Sequence, residues 1–259
     1  MKKRGARKNH RLKIPRSNLP FQHQQLQAQN PPTPALIKNK QALQALAREL
    51  VAEEKARTHV QFLSDEEAVA WLIQRHAYDE ASARALIAKW RKLAAELGWT
   101  GPVAWKVRAG FTLTQHAPKV GPCYKQFKYL QDSNFQDEST KNAIVFWVPV
   151  IISGTRDQNT DEQRVVLANV RCAFELPKHH LSCFGNAALL AALILAEFKR
   201  SGKRLPANKD WVRTDTRNSA GNLLNLGCFG DDGLSCGDVL DSDRLSILGA
   251  FALGVELEA

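Results

Sequence analysis

The stretch AALLAALILA, residues 187–196, is the longest uninterrupted apolar run in the 259-residue chain. A membrane span needs about 20 such residues, so this shorter run predicts a helix buried in a globular core. Ser182 is its expected N-cap. The helix is expected to continue to about Arg200 and to stop at Gly202, because glycine readily adopts the left-handed conformation that ends helices.

A second hydrophobic run, AIVFWVPVII at residues 143–152, is rich in β-branched and aromatic residues and predicts a strand buried on both faces. Pro149 has no N–H to donate, so it is expected at a sheet edge or a bulge. Residues 104–113 also alternate like a strand. After the apolar helix, an antiparallel meander is predicted, with strands near 210–216, 222–229, 234–240 and 244–256.

Helical spacing dominates residues 41–98. A first helix is predicted around Leu43–Val51, and Ser64 with Glu67 forms a capping box that predicts the start of a second. A third helix at 80–97 carries an apolar stripe. The last two helices, with 103–113 as a wing, are compatible with a helix-turn-helix, but an ordinary helical hairpin is favoured. The stripe consists of Ala83, Leu86, Ile87, Trp90, Leu93, Ala94 and Leu97.

Residues 164–176 fit the periodicity of either a strand or a helix. Thr160 and Gln163 supply an expected capping box, which favours the helix. These patterns together predict an α+β fold: a helical region at 41–98, then a body at 99–259 in which a mainly antiparallel sheet packs on one apolar helix.

Charge is divided unevenly along the chain. Residues 1–40 contain ten of the 36 basic residues and none of the 26 acidic ones, so residues 41–259 contain 26 of each. The segment is also rich in Pro and Gln and poor in apolar side chains, so we predict a disordered basic arm that binds a polyanion; a solubilising tail is the alternative. Its first eight basic residues are Lys2, Lys3, Arg4, Arg7, Lys8, Arg11, Lys13 and Arg16.

Basic and aromatic residues are interleaved between Leu97 and Gln131, where no acidic residue occurs. Cationic side chains neutralise phosphates and exposed rings stack on bases, so this mixture is typical of single-stranded nucleic-acid binding. The alternative is that the rings face the core and the lysines are solvated. The candidate contacts are Lys106, Arg108, Lys125, Lys128, Tyr124 and Tyr129; Lys119, Trp99, Trp105, Phe111 and Phe127 complete the stretch.

Cys183 is the candidate nucleophile, because a helix N-terminus lowers the pKa of a thiol. The segment SCFGNAAL at residues 182–189 resembles the cysteine helix of papain-like and deubiquitinating hydrolases. Those enzymes usually place the catalytic histidine after the cysteine. No histidine follows His180, so the resemblance implies a permuted arrangement that uses His116, His179 or His180. The favoured alternative is a buried cysteine that packs the start of the helix.

Metal and cofactor signals are weak. Cys172, His179, His180 and Cys183 match no common zinc signature, so no metal site is predicted. The P-loop, GxGxxG, GxSxG and HExxH patterns are absent, and no cofactor is expected. Five C-terminal acids are potential ligands for a hard cation, but most fall in predicted turns, where aspartate is common. They are Asp231, Asp232, Asp238, Asp241 and Asp243.

The sequence therefore favours a non-enzymatic protein that associates with RNA or the ribosome through its basic arm, with RNA a better expectation than DNA. Two alternatives remain: a thiol hydrolase built on Cys183, and an interaction module whose arm binds an acidic protein surface. No membrane partner is expected. An odd number of cysteines, five, and the lack of a secretory pattern predict reduced thiols and a cytoplasmic protein.

Overall fold

The computed structural model describes residues 42–43, 59–133, 135, 137–207 and 209–258. The predicted basic arm lies outside the described residues, as does the first predicted helix except for residues 42–43, which are helical. No helix in the described part of the chain is long and apolar enough to span a bilayer.

The described residues form an α+β fold, as predicted, with two four-stranded sheets. The strands are β1 (Val60–Leu63), β2 (Ala104–Val107), β3 (Ala143–Ile151), β4 (Trp211–Arg217), β5 (Leu223–Gly230), β6 (Gly233–Val239), β7 (Leu248–Gly249) and β8 (Phe251–Leu257). The helices are α1 (Asp65–His76), α2 (Glu80–Glu96), α3 (Ala117–Val120), α4 (Thr160–Ala173) and α5 (Ala187–Ser201), with a 3₁₀ segment at Tyr124–Ser133.

The first sheet has the order β1-β2-β3-β8 and is antiparallel throughout. The second has the order β6-β5-β4-β7 and is antiparallel except for β7, which runs parallel to β4. Strand β1 lies inside the predicted helical region, yet it pairs with β2 of the body. Residues on both sides of position 98 therefore build the same sheet.

Helix α5 is the core element that its sequence predicts. Its residues 187–195 are all buried, and they share one apolar cluster with Val145 and Trp147 of the first sheet and with Leu224 and Leu226 of the second. A fully buried leucine contributes about 1.5–3 kcal/mol, so this helix is a main source of stability for both sheets.

The helical hairpin of α1 and α2 covers the other face of the first sheet. Successive side chains of a strand point to opposite faces, so Ile144 and Phe146 pack with the hairpin, while Val145 and Trp147 pack with α5. Trp90 of α2 stacks on Phe146 with ring centroids 5.6 Å apart. The prediction that β3 is buried on both faces is confirmed.

Three local signals in the sequence were confirmed. The capping box of α1 is present, with the Ser64 N–H donating to Glu67 Oε2 at 2.8 Å and the Glu67 N–H donating to Ser64 Oγ at 3.3 Å. Pro149 lies at a bulge, because the register of β3 with β8 shifts between Val148 and Ile151. Residues 164–176, which fitted either periodicity, belong mostly to a helix, since α4 spans Thr160–Ala173.

Two predicted strand boundaries were wrong. Strand β2 ends at Val107, and the alternation beyond it arises because the loop residues Phe111 and Leu113 are buried in the core; residues 108–113 therefore form no wing. The predicted last strand is split at Ala250 into β7 and β8, which belong to different sheets. The break adds a parallel strand to the expected meander.

The predicted N-caps of α4 and α5 were also wrong. The N-cap of α4 is Asn159, with Glu162 completing the box; Gln163 is instead buried, and its Oε1 accepts a hydrogen bond from Arg213 Nε at 2.9 Å. The N-cap of α5 is Asn186, whose side chain accepts from the Leu189 N–H at 2.7 Å. Ser182 lies outside the helix, and its hydroxyl donates to the His179 carbonyl.

Candidate functional site

The most concentrated group of polar side chains surrounds Glu256 of β8. Its Oε1 accepts three hydrogen bonds: from the Tyr78 hydroxyl at 2.9 Å, from His179 Nε2 at 2.9 Å and from His180 Nε2 at 3.0 Å. Tyr78 lies in the turn between α1 and α2, and the two histidines lie in the loop before α5. With Trp90, these four residues are called the Glu256 cluster below.

Trp90 fixes the protonation of His180. Its indole N–H lies 3.2 Å from His180 Nδ1, which must accept because an indole N–H only donates. The ring proton of His180 is therefore on Nε2, where it donates to Glu256. His180 and Trp90 are fully buried, so both hydrogen bonds are made away from water. His179, by contrast, is solvent-exposed, with 53% of its side chain accessible.

Hydrogen bonding decides the charge of Glu256. Burial alone would raise its pKa, but the donors His180, His179 and Tyr78 outweigh burial and lower the pKa to about 2. Burial lowers the pKa of His180, which keeps the ring neutral. Burial and the bond to Glu256 raise the pKa of Tyr78 to about 12, so its hydroxyl stays a donor. The cluster is thus a carboxylate that accepts from the neutral ring of His180 and from the hydroxyl of Tyr78, with His179 as its third donor.

The cluster has the spacing of a metal site without the chemistry of one. One atom from each of His179, His180 and Glu256 lies within 4.8 Å of the others. A metal would take the Nε2 lone pair of His180 and move its proton to Nδ1, where the Trp90 N–H already points. Two donors would then face each other in a buried position, so these residues do not fit a metal ion. Neither Cys172 nor Cys183 belongs to this group.

A shallow cleft of about 290 Å³ lies beside the cluster, between α2 and the residues after α4. Tyr78 belongs to both, since its ring lines the cleft and its hydroxyl binds Glu256. Lys89 and Glu175 line the cleft and contact each other, with Lys89 Nζ 2.9 Å from the Glu175 carbonyl and 3.4 Å from its carboxylate. The opposite charges of Lys89 and Glu175 therefore form an ion pair in the cleft.

The structure does not activate Cys183. The thiol precedes the N-cap of α5 by three residues, so the predicted position at the helix N-terminus is wrong. Burial and the nearby Asp215 raise its pKa. His179 and His180 are bound to Glu256, and His116 Nδ1 accepts from the Thr112 N–H at 3.1 Å. None of the three candidate histidines is hydrogen-bonded to the thiol, and all five cysteines are free.

The basic and aromatic stretch is separated into core rings and exposed cations. Trp99, Trp105, Phe111 and Phe127 are buried, which agrees with the alternative that these rings face the core. Lys106 of β2 is half-buried, and four basic residues are exposed. Tyr124 and Tyr129 are both half-buried. The Tyr129 hydroxyl is hydrogen-bonded to the backbone of Cys236, whereas no such hydrogen bond is seen for Tyr124 among the described residues. The exposed cations are Arg108, Lys119, Lys125 and Lys128.

Four of the five C-terminal acids contact other residues of the fold. Asp231 pairs with Arg204 and Asp241 with Arg217, while Asp238 accepts from Asn218 and Asp243 from the Leu240 N–H. These contacts support the interpretation as turn-stabilising residues rather than cation ligands.

No family model matches the chain, and no curated protein or solved structure matches it either. The fold and the geometry of the site thus define an α+β protein whose function must be argued from its own residues.

Proposed function

We propose that the chain is a non-enzymatic protein that binds RNA through the basic segment of residues 1–40. The observation that carries the proposal is the division of charge: ten basic and no acidic residues in this segment, and equal numbers of both in residues 41–259. A segment of this composition attracts phosphates along any polynucleotide and is repelled by itself when no polyanion is bound.

Two features of the described residues support a non-enzymatic role. The Glu256 cluster is hydrogen-bonded among its own members, and Lys89 and Glu175 neutralise each other in the neighbouring cleft. The pKa of Cys183 is raised rather than lowered. The arrangement therefore offers neither an activated nucleophile nor an unpaired charge for a substrate.

RNA is favoured over specific duplex DNA. The hairpin of α1 and α2 packs one side on the first sheet, and residues 108–113 form no wing beside it. Phosphate contacts from a basic segment carry little sequence information. The proposal is accordingly a sequence-tolerant association with RNA, on its own or in the ribosome.

The first experiment measures the absorbance ratio at 260 and 280 nm of the purified full chain before and after a wash in high salt. Co-purifying RNA raises the ratio, and salt lowers it because counterions displace phosphate contacts. Nuclease treatment identifies the polymer. A protein free of nucleic acid at low salt that also fails to bind added RNA would contradict the proposal, and an acidic protein partner would then become the better interpretation.

A further inference from the structure

Lys125, Gln126 and Phe127 form a left-handed turn at the start of the 3₁₀ segment. Their φ angles are 46°, 54° and 56°, and none of the three is glycine. A left-handed residue with a Cβ atom costs about 1–2 kcal/mol and is normally isolated rather than in a run. Such backbone strain persists only where the surrounding structure holds it, and it is concentrated at functional sites.

Buried contacts and hydrogen bonds hold the left-handed turn in place. Phe127 is fully buried in the cluster that contains α5, and the Gln126 N–H donates to the Cys123 carbonyl at 2.9 Å. Two residues further on, the Tyr129 hydroxyl donates to the Cys236 carbonyl at 2.8 Å and accepts from the Cys236 N–H at 2.9 Å. These bonds fasten the turn to β6.

The same geometry turns the polar residues outwards. Lys125, Gln126 and Lys128 are exposed, and Tyr124 is half-buried. Lys125 Nζ lies 5.1 Å from the centroid of the Tyr124 ring. Within the described part of the chain, neither Lys125 nor Lys128 has a carboxylate within salt-bridge distance, whereas many arginines there do.

Two acidic side chains close to β6, Asp137 and Asp238, accept hydrogen bonds from uncharged donors. Asp137 accepts hydrogen bonds from the Leu113 and Thr114 N–H groups, and Asp238 accepts from Asn218. In the part of the chain that the structure describes, neither of these two acids forms a salt bridge with Lys125 or Lys128.

We propose that the left-handed turn, with Tyr124 and Lys128 on either side, is a contact for single-stranded RNA on the folded part of the chain. Each of the two ammonium groups can contact a phosphate, and Lys125 can leave the Tyr124 ring so that an unpaired base stacks there. Because the turn is already ordered, RNA binding needs little further loss of entropy there. The inference rests on the proposed RNA-binding function and adds that the folded part of the chain contacts single-stranded RNA.

The test compares full-length variants by fluorescence anisotropy with a labelled single-stranded RNA and a labelled duplex RNA. The turn variant is Lys125→Glu with Lys128→Glu. The matched control is Lys178→Glu with Lys199→Glu, which changes net charge equally at two other exposed lysines. The turn variant is expected to bind single-stranded RNA at least about tenfold more weakly than the control. Tyr124→Leu is expected to weaken single-strand binding about tenfold and to spare the duplex.

The outcomes separate the two proposals. If wild type and control bind RNA and the turn variant binds equally well, the turn is not a contact, while RNA binding through residues 1–40 stands. If Tyr124→Leu weakens duplex and single-stranded RNA alike, the assignment to single strands is wrong. If the wild type binds neither RNA, both proposals fail. Thermal unfolding of each variant checks the fold, and Lys125→Gln with Lys128→Gln replaces the turn variant if the glutamates disturb it.

Discussion

The Trp90 indole N–H lies 3.2 Å from His180 Nδ1, and this one contact fixes the tautomer of a fully buried histidine. It places the single ring N–H proton of His180 on Nε2, where it faces Glu256, and so leaves no Nε2 lone pair for a metal ion. The hydrogen bonds of the Glu256 cluster therefore connect three parts of the fold: the helical hairpin, the loop before α5, and β8.

Trp90→Phe is expected to destabilise the fold more than Trp147→Phe. Both indoles are fully buried, but Trp147 Nε1 has no hydrogen-bond partner among the described residues, so its replacement breaks no hydrogen bond. Trp90→Phe also leaves His180 Nδ1 unpaired, which adds about 1–3 kcal/mol. Urea unfolding followed by circular dichroism measures the difference. Equal losses for the two variants would show that the contact with His180 contributes nothing.

Stability should depend on pH through Glu256. Its pKa is about 2 when folded and 4.5 ordinarily, so the unfolded chain binds the proton at higher pH. The free energy of unfolding therefore falls as pH drops from about 4.5 to 2, by about 3 kcal/mol at most. The lowered pKa of His180 adds a loss that begins as pH falls through the ordinary value of 6.5.

Glu256→Gln separates the two contributions. The amide does not titrate, so this variant should be less stable than wild type at neutral pH and should lose the dependence between about pH 2 and 4.5. Glu96→Gln, at an exposed position of α2, is the matched control and should keep the dependence. Unfolding curves across this pH range check it, and an unchanged slope in Glu256→Gln would contradict the role of the cluster.

Strain in the left-handed turn predicts a substitution that stabilises the fold, whereas the substitutions above destabilise it. Gln126→Gly removes the Cβ atom that disfavours a φ of 54°, so it should stabilise the fold by about 1 kcal/mol relative to Gln126→Ala, which keeps that atom. The two variants share the loss of the exposed amide, so their difference isolates the backbone. If alanine proves as stable as glycine, the turn is not strained.

Thiol reactivity distinguishes a structural Cys183 from a nucleophile. Burial and Asp215 raise the pKa of Cys183, whereas Cys172 at the end of α4 is exposed. Iodoacetamide at neutral pH should therefore label Cys172 first, as read by mass spectrometry of a time course. Faster labelling of Cys183 would revive the hydrolase interpretation.

The sequence predicted several parts of the fold that depend on neighbouring residues. Helix α5, the capping box at Ser64 and the bulge at Pro149 follow from apolar runs, short spacings and a missing donor. The pattern did not decide between two possible N-caps of α5. Ser182 and Asn186 both have side chains that suit an N-cap, and the helix begins after Asn186.

The Glu256 cluster was missed because it joins distant residues. Tyr78 and Glu256 are 178 positions apart, and no local spacing links them. The available signal was an acidic residue inside the apolar run of β8, opposite Ile144 in the register. A carboxylate at such a buried position requires donors, but their identity depends on packing that only the folded chain shows.

The most direct test of RNA binding through residues 1–40 is the salt dependence of affinity for a labelled RNA. If eight basic residues up to Arg16 contact phosphates at about half occupancy, the slope of log K against log salt is on the order of −3. Replacing these eight residues by Gln keeps the length of the chain and should flatten the slope and weaken binding to all RNA sequences alike. The same affinity and slope in wild type and in this variant would contradict the proposal.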